Sequence, residues 1–328
     1  MDIKNEYALR LPRFTPLEWV RLAEWYFRTR CMTPKKIVKR MLTMTREEMG
    51  EAAESILEFY TSYHECEKEG KTMNQGMELS FTTHCVLHAI LHLHESLNGE
   101  GSFICNERDL YRAMRINKKT PSVKPSRIRK SLEILATKKF PFLYIPQNQR
   151  VEFPAFGSLI DLETEARPDK ETEPPKGNGK PSHATPRYSR HYKITLNRDL
   201  FEPVQNSFRR MNPNIGSEIR EYKKKHGGKP SEYDIRFYDL LVTENDRTIK
   251  RNYLDIADAP LLMRHLIEQG KKPYIRDRIT EIYKLYKGLG YLEGFKLDQQ
   301  GWNLSTYDIL YLNPKKFYRM RENGTNNN

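Results

Sequence analysis

Three histidines, His84, His88 and His92, recur every four residues in the stretch SFTTHCVLHAILHLHESL. A spacing of four places imidazoles on one face of an α-helix, as zinc sites require. Cys85 and His94 stand beside them, and His64 and Cys66 lie on the preceding helical segment. The same stretch carries Val86, Leu87, Ile90, Leu93 and Leu97 at helical spacing, with the histidines along one side of that apolar stripe. A packed polar flank explains the pattern without a metal and is the preferred reading. No metal or other cofactor is expected.

Two basic helices offer a different chemistry. Lys271-Lys272-Pro273 opens a helix whose inward stripe is Ile275, Ile279, Ile282 and Tyr286. That stripe leaves Arg276, Thr280, Tyr283, Lys284 and Lys287 on the opposite face, with Lys272 at the start. Pro125 opens a second such helix, with Ile128, Leu132 and Leu135 inward. Its free face offers Arg129, Lys130, Glu133 and Thr137, with Ser126 and Arg127 in the first turn. Guanidinium, hydroxyl and ammonium groups together suit base edges flanked by phosphates. The alternative for each helix is an ordinary solvated charged face.

Both helices sit in matching surroundings. The first follows a long helix from Ser80, the short strand SFICN and the short helix NERDLYRAMRI, which Asn106 caps. FPFLYIP and RVEFPAF then read as a hairpin. The second follows the helix SEYDIRFYDLLVTEN and a short helix near Ala259 to Glu268, and leads into the strands YLEGFKLDQQ and YDILYLNP. This order predicts an α+β, mainly helical chain with two winged-helix domains. The runs IRKSLEILATKKFPFLYI and RITEIYKLYKGLGYLEGF align by eye, which suggests a duplication.

The expected boundaries follow. Residues 1–79 form a helical N-terminal extension, with one helix starting at Thr15-Pro16 and another running from about Arg46 to Glu69. Residues 80–162 and 191–320 are the two winged-helix domains. Residues 163–190, rich in Pro, Gly, Glu and Lys, read as a flexible linker, and 321–328 as a disordered tail. Gly177-Asn178-Gly179-Lys180 lacks the upstream glycine and strand of a phosphate loop, so no ATP site is expected there.

Composition bounds the partners. The chain has 56 Lys and Arg against 43 Asp and Glu, a formal charge of +13. Between Glu107 and Phe140 the balance is 11 to 3, and from Arg187 onward 27 to 18. Positive charge thus follows the two basic helices, which favours a polyanion. Mean hydropathy is −0.79, and no run approaches the roughly 18 apolar residues of a spanning helix. MDIKNEYALRLPRF lacks the apolar core of a signal peptide. Four widely spaced cysteines without a CxxC pair fit a reducing compartment. A cytoplasmic protein without membrane contact is the expectation.

The tandem plan, together with YKITLNRDLF, SEYDIRFYDLL and KKPYIRDRITEIYKLYKGLGYLEGF, resembles plasmid replication initiators of the iteron-binding type. The resemblance covers residues 80 to 318. It implies double-stranded DNA as partner, repeated origin sites, local duplex opening, and recruitment of host replication proteins. It also implies a dimer that represses and a monomer that initiates. A transcriptional regulator or a protein-interaction scaffold would use the same fold. His92-Leu93-His94 is similar to the metal-binding element of rolling-circle nickases, with Tyr283 beside Lys287 as the implied nucleophile. That resemblance needs alternating strand periodicity, and this stretch is helical. No other catalytic constellation is legible.

Overall fold

The computed structural model describes residues 9–11, 53–69, 79–97, 101–116, 123–144, 153–168, 188–197, 209–244, 246–258, 261, 263–297 and 307–317. The chain is α+β and mainly helical, with two small three-stranded antiparallel sheets. Among the described residues, no helix is long and apolar enough to cross a membrane. The Thr15-Pro16 helix and the 321–328 tail lie outside the described residues.

The first part of the chain gives β1 (Leu9–Leu11), α1 (Ala53–Lys68), α2 (Phe81–Ser96), β2 (Ser102–Asn106), α3 (Glu107–Ala113) and α4 (Pro125–Thr137). Next come β3 (Phe140–Tyr144), β4 (Phe153–Gly157), β5 (Ile160–Pro168) and β6 (Tyr188–Leu196). Asn106 caps α3 as expected. Its side chain accepts from the Arg108 and Asp109 amides, and Asp109 accepts from the Asn106 amide at 3.0 Å. That reciprocal box fixes where strand becomes helix.

Here the first unit departs from the sequence expectation. FPFLYIP and RVEFPAF do pair, as β3 and β4. Their hairpin lies apart from β2, however, and packs against α1, with Phe59 and Phe156 rings 4.9 Å apart. The strands that complete the sheet are β5 and β6, in the order β2-β6-β5. Residues 163–168 and 188–190, expected in a flexible linker, are therefore strand. A sheet with one wet face needs an apolar side chain only at every second position. Ile160 and Leu162 provide it against Leu196 and Ile194, while Glu163 faces Lys193 at 2.9 Å. Residues 169–187 lie outside the described residues.

The second part gives β7 (Arg209–Met211), α5 (Ile215–Lys225), α6 (Glu232–Thr243), β8 (Thr248–Arg251), α7 (Tyr253–Asp258), α8 (Arg264–Glu268) and α9 (Lys272–Gly288). β9 (Leu292–Lys296), β10 (Asp308–Leu312) and a 3-10 turn (Pro314–Lys316) complete it. Ser231 and Asp234 form a capping box at the start of α6. The sheet order is β8-β10-β9. In both sheets the strand ahead of the short helices pairs with the last strand. That last strand lies between it and its own hairpin partner.

The two units meet along α2. Residues 83–91 of that helix are all buried. One side of α2 packs on α4, where the Thr83 and Ser131 hydroxyls lie 3.2 Å apart. The other side meets the second unit: Arg220 lies 5.3 Å from the Phe81 ring centre, and Arg236 donates to the Leu79 carbonyl at 3.2 Å. β1 pairs with β7 across the same boundary.

Candidate nucleic-acid interface

Helix α4 presents the face expected of it. Ile128, Ser131, Leu132 and Leu135 are buried, while Ser126, Arg127, Arg129, Lys130 and Thr137 are exposed. Lys124, at the N-cap, is exposed as well. Two of these groups have internal partners. Arg129 Nε lies 3.2 Å from Glu107, which also accepts from the Tyr192 hydroxyl at 3.0 Å. That network joins α4 to α3 and β6. Glu107 and burial together push the Tyr192 hydroxyl up to about 12, burial contributing most. The Thr137 hydroxyl donates back to the Glu133 carbonyl at 2.8 Å. Ser126, Arg127 and Lys130 remain as the outward-facing set.

Further cations stand on and just after α3, a helix that its sequence marks only as scaffold. Arg108 and Arg115 are exposed, and the Arg112 side chain is 74% exposed. Arg112 and Arg115 border a cavity of about 170 Å³, shared with His92, Asp109 and Asn214. Arg115 has a left-handed backbone, φ 50°, which turns the chain just after α3. The signal available in the sequence is the spacing of Arg108, Arg112 and Arg115 along one short segment.

Helix α9 corrects the expectation for the second unit. Tyr283, expected on the open face, is 0% exposed. Its hydroxyl donates to Asp308 Oδ2 at 3.0 Å, and its ring lies 5.4 Å from Phe295 and 5.6 Å from Phe237. Burial, then the Asp308 charge, raises its pKa well above the ordinary value. Arg276 points to the same carboxylate, with its guanidinium 4.9 Å from the Tyr253 ring centre. Thr280 donates to the Arg276 carbonyl at 2.8 Å. Lys272 is half-buried, and Lys284 and Lys287 are exposed. The remaining outer face mixes signs: Tyr274, Asp277 and Glu281 share it with the two lysines. A helical wheel finds the centre of a buried stripe but not its width, and here β10 closes over one flank.

The histidines lie at the boundary between the units. His84 and His88 are buried, their rings 6.3 Å apart, and His84 Nε2 lies 3.8 Å from Asp239. Neither Nδ1 has a hydrogen-bond partner. Burial depresses both: His88 falls to about 4, and His84 lies well below 6.5, with Arg236 and His88 adding to the effect. Neutral imidazoles packed between units fit the polar-flank reading. His92 is only half-buried and borders the α3 cavity. Among the described residues no group of three or more His, Cys, Asp or Glu side chains could hold a metal ion.

The nickase geometry is not met at these residues. His92 and His94 lie in α2, where residues two apart project to different sides. Tyr283 is in the other unit, hydrogen-bonded and buried.

Comparison with protein-family models, with curated proteins and with solved structures found no match.

Proposed function

We propose that this protein binds double-stranded DNA through two winged-helix units, with α4 of the first unit as the base-reading helix. The observation that carries the reading is the recurrence of one topology, joined to one exposed basic helix face. Helix, strand, a short helical stretch (one helix in the first unit, two in the second), long helix and a final strand pair occur twice, each time with the last strand in the middle of the sheet; the first unit adds the separate β3–β4 hairpin after α4. In a winged helix the long helix before the hairpin enters the major groove, while the hairpin reaches phosphate or the minor groove. Ser126, Arg127 and Lys130 occupy that position in the first unit. Arg127 can pair with two acceptors on a guanine edge, and Lys130 suits a guanine or a phosphate.

The sequence resemblance extends this to initiation of replication at repeated origin sites. Host replication proteins would then be partners, and the protein would act in the cytoplasm.

The test is selection of binding sites from random duplex DNA at two salt concentrations, with the parent and an Arg127→Gln/Lys130→Gln variant. The expected result is one enriched motif, directly repeated, with relaxed preference at one or two positions in the variant. Removing a bidentate pairing to a base edge should cost about 1–3 kcal/mol of discrimination. Enrichment of a single unrepeated motif would move the reading toward a transcriptional regulator. No duplex binding at low salt would overturn it and favour a scaffold.

A further inference from the structure

The carboxyl ends of α5 and α9 meet at one place. A methyl group at Gly288 of α9 would fall 2.3 Å from Tyr222 Cε2 of α5 and 2.6 Å from its hydroxyl oxygen, so the hydroxyl end of the tyrosine ring lies against the glycine. On its own helix that ring stacks on His226, with centroids 4.1 Å apart and planes at 22°. The 3-10 turn arrives beside them. A Cβ at Gly290 would lie 3.6 Å from Lys316 Cε, and Lys316 Nζ lies 5.1 Å from the Tyr291 ring centre. Three segments far apart in sequence thus converge.

Each segment brings exposed lysines: Lys224, Lys225 and Lys229 from α5 and its exit, Lys287 from α9, and Lys315 and Lys316 from the turn. Lys223 does not belong to the group, because it is largely buried and pairs with Asp234 at 3.4 Å. Among the described residues, Lys224, Lys225, Lys229 and Lys287 have no carboxylate partner. Glu221 is the single acid between Glu221 and Lys229.

Lysines in a last helical turn complement the helix dipole. That covers Lys224, Lys225 and Lys287. It does not cover Lys229, Lys315 and Lys316, which lie beyond both helices. Lys224, Lys225, Lys229 and Lys287, which no carboxylate among the described residues neutralises, repel one another, and a polyanion relieves that repulsion.

We infer that this composite lysine surface holds a phosphodiester backbone. The second unit then grips the duplex by the ends of α5 and α9, not by the outer face of α9. The inference rests on the duplex-binding reading above. Ammonium groups act as point charges that suit phosphates without reading bases. Binding to an anionic membrane surface calls for apolar side chains to enter the interface. The exposed large apolar side chains among the described residues are Leu57, Leu97, Ile104, Tyr274 and Tyr307; Tyr274 lies on α9, but in its first turn, at the end opposite the lysines.

The experiment measures affinity of the full chain for a random-sequence duplex across a salt series. The variants are Lys224→Gln/Lys225→Gln/Lys229→Gln and the matching Lys→Arg triple. Thermal melting confirms that both are folded. Each phosphate contact contributes about 0.9 to the slope of log affinity against log salt. The Gln triple should therefore lose roughly 2 to 3 from that slope, and the Arg triple should keep it, with the selected DNA motif unchanged in both. An unchanged slope in the Gln triple, alongside tight binding by the parent, overturns this inference and leaves the α4 reading standing. No duplex binding by the parent overturns both. Phosphatidylserine vesicles provide the last arm. If the Gln triple loses vesicle binding but keeps its duplex slope, the surface serves a membrane and the inference fails.

Discussion

Arg236 Nη2 on α6 donates to the carbonyl oxygen of Leu79, 3.2 Å away, across the boundary between the two units. Its Nη1 donates to the Leu261 carbonyl at the same distance. The residue is 1% exposed, so this guanidinium spans a dry boundary and satisfies acceptors on both sides of it. A planar fork can do this; an ammonium cannot reach two carbonyls so placed. Arg236→Leu should leave both carbonyls without this donor and destabilise the chain by about 2–5 kcal/mol. Arg236→Lys should recover little. Urea unfolding at pH 7 measures both, and a loss below about 1 kcal/mol for the leucine variant, the cost of one ordinary hydrogen bond, would contradict the clamp.

Gly216 and Cys85 set how closely the units approach. A methyl group at Gly216 would lie 2.4 Å from Cys85 Sγ, less than any van der Waals contact allows. Gly216→Ala should therefore cost about 1–3 kcal/mol through overpacking. Cys85→Ala in the same chain removes the obstructing atom. The two changes should couple by at least about 0.5 kcal/mol in a double-mutant cycle. Strict additivity would place the strain elsewhere.

Much of the scaffold is legible in the sequence because local rules decide it. Asn106 and Asp109 mark the start of α3 through their own side chains, and the Ile128, Leu132, Leu135 spacing defines the buried side of α4. The first unit's sheet is not legible. The ends of its strands β5 and β6, ETEARP and YSR, carry the composition of a loop, and their pairing is a long-range event. FPFLYIP and RVEFPAF, close together in sequence and rich in aromatics, carry the stronger hairpin signal, although they pack on α1 instead. Tyr283 illustrates the same limit at one residue. It flanks the Ile279 and Ile282 stripe, and the positions of Phe237, Phe295 and Asp308 on other elements decide that it is buried. The lysine cluster at the ends of α5 and α9 is likewise divided among three segments.

Tyr283 now has a different expected phenotype. A tyrosine on an open recognition face would contribute to affinity. Here Tyr283→Phe removes one hydrogen bond to Asp308 and should cost roughly 1–2 kcal/mol of stability, the buried acceptor being charged. Duplex affinity and sequence preference should be unchanged, because the hydroxyl does not reach solvent. Melting and anisotropy titration on the same preparation separate the two effects. A selective loss of affinity at unchanged stability would return Tyr283 to the interface.

The buried histidines should make stability depend on pH in a defined direction. In the unfolded chain an imidazole takes up its proton near pH 6.5; burial holds His88 neutral in the fold down to about 4. Between those values the unfolded chain binds more protons, so stability rises with pH. The contribution is fully present above pH 6.5 and is lost progressively as the pH falls toward 4. The interval between 6.5 and about 4 corresponds to roughly 3 kcal/mol for His88. His84 acts in the same direction, because burial and then the neighbouring Arg236 charge disfavour its proton, although Asp239 at 3.8 Å opposes this. Unfolding free energies at pH 7.5, 6.0 and 5.0 should therefore decline for the parent. They should decline less for His88→Leu, which has no proton to take up and keeps an apolar group in the buried position. The decisive quantity is the difference between the two curves, since other groups titrate in both. Parallel curves would mean that His88 is protonated within the fold, and that a negative group or water reaches it at the boundary between the units.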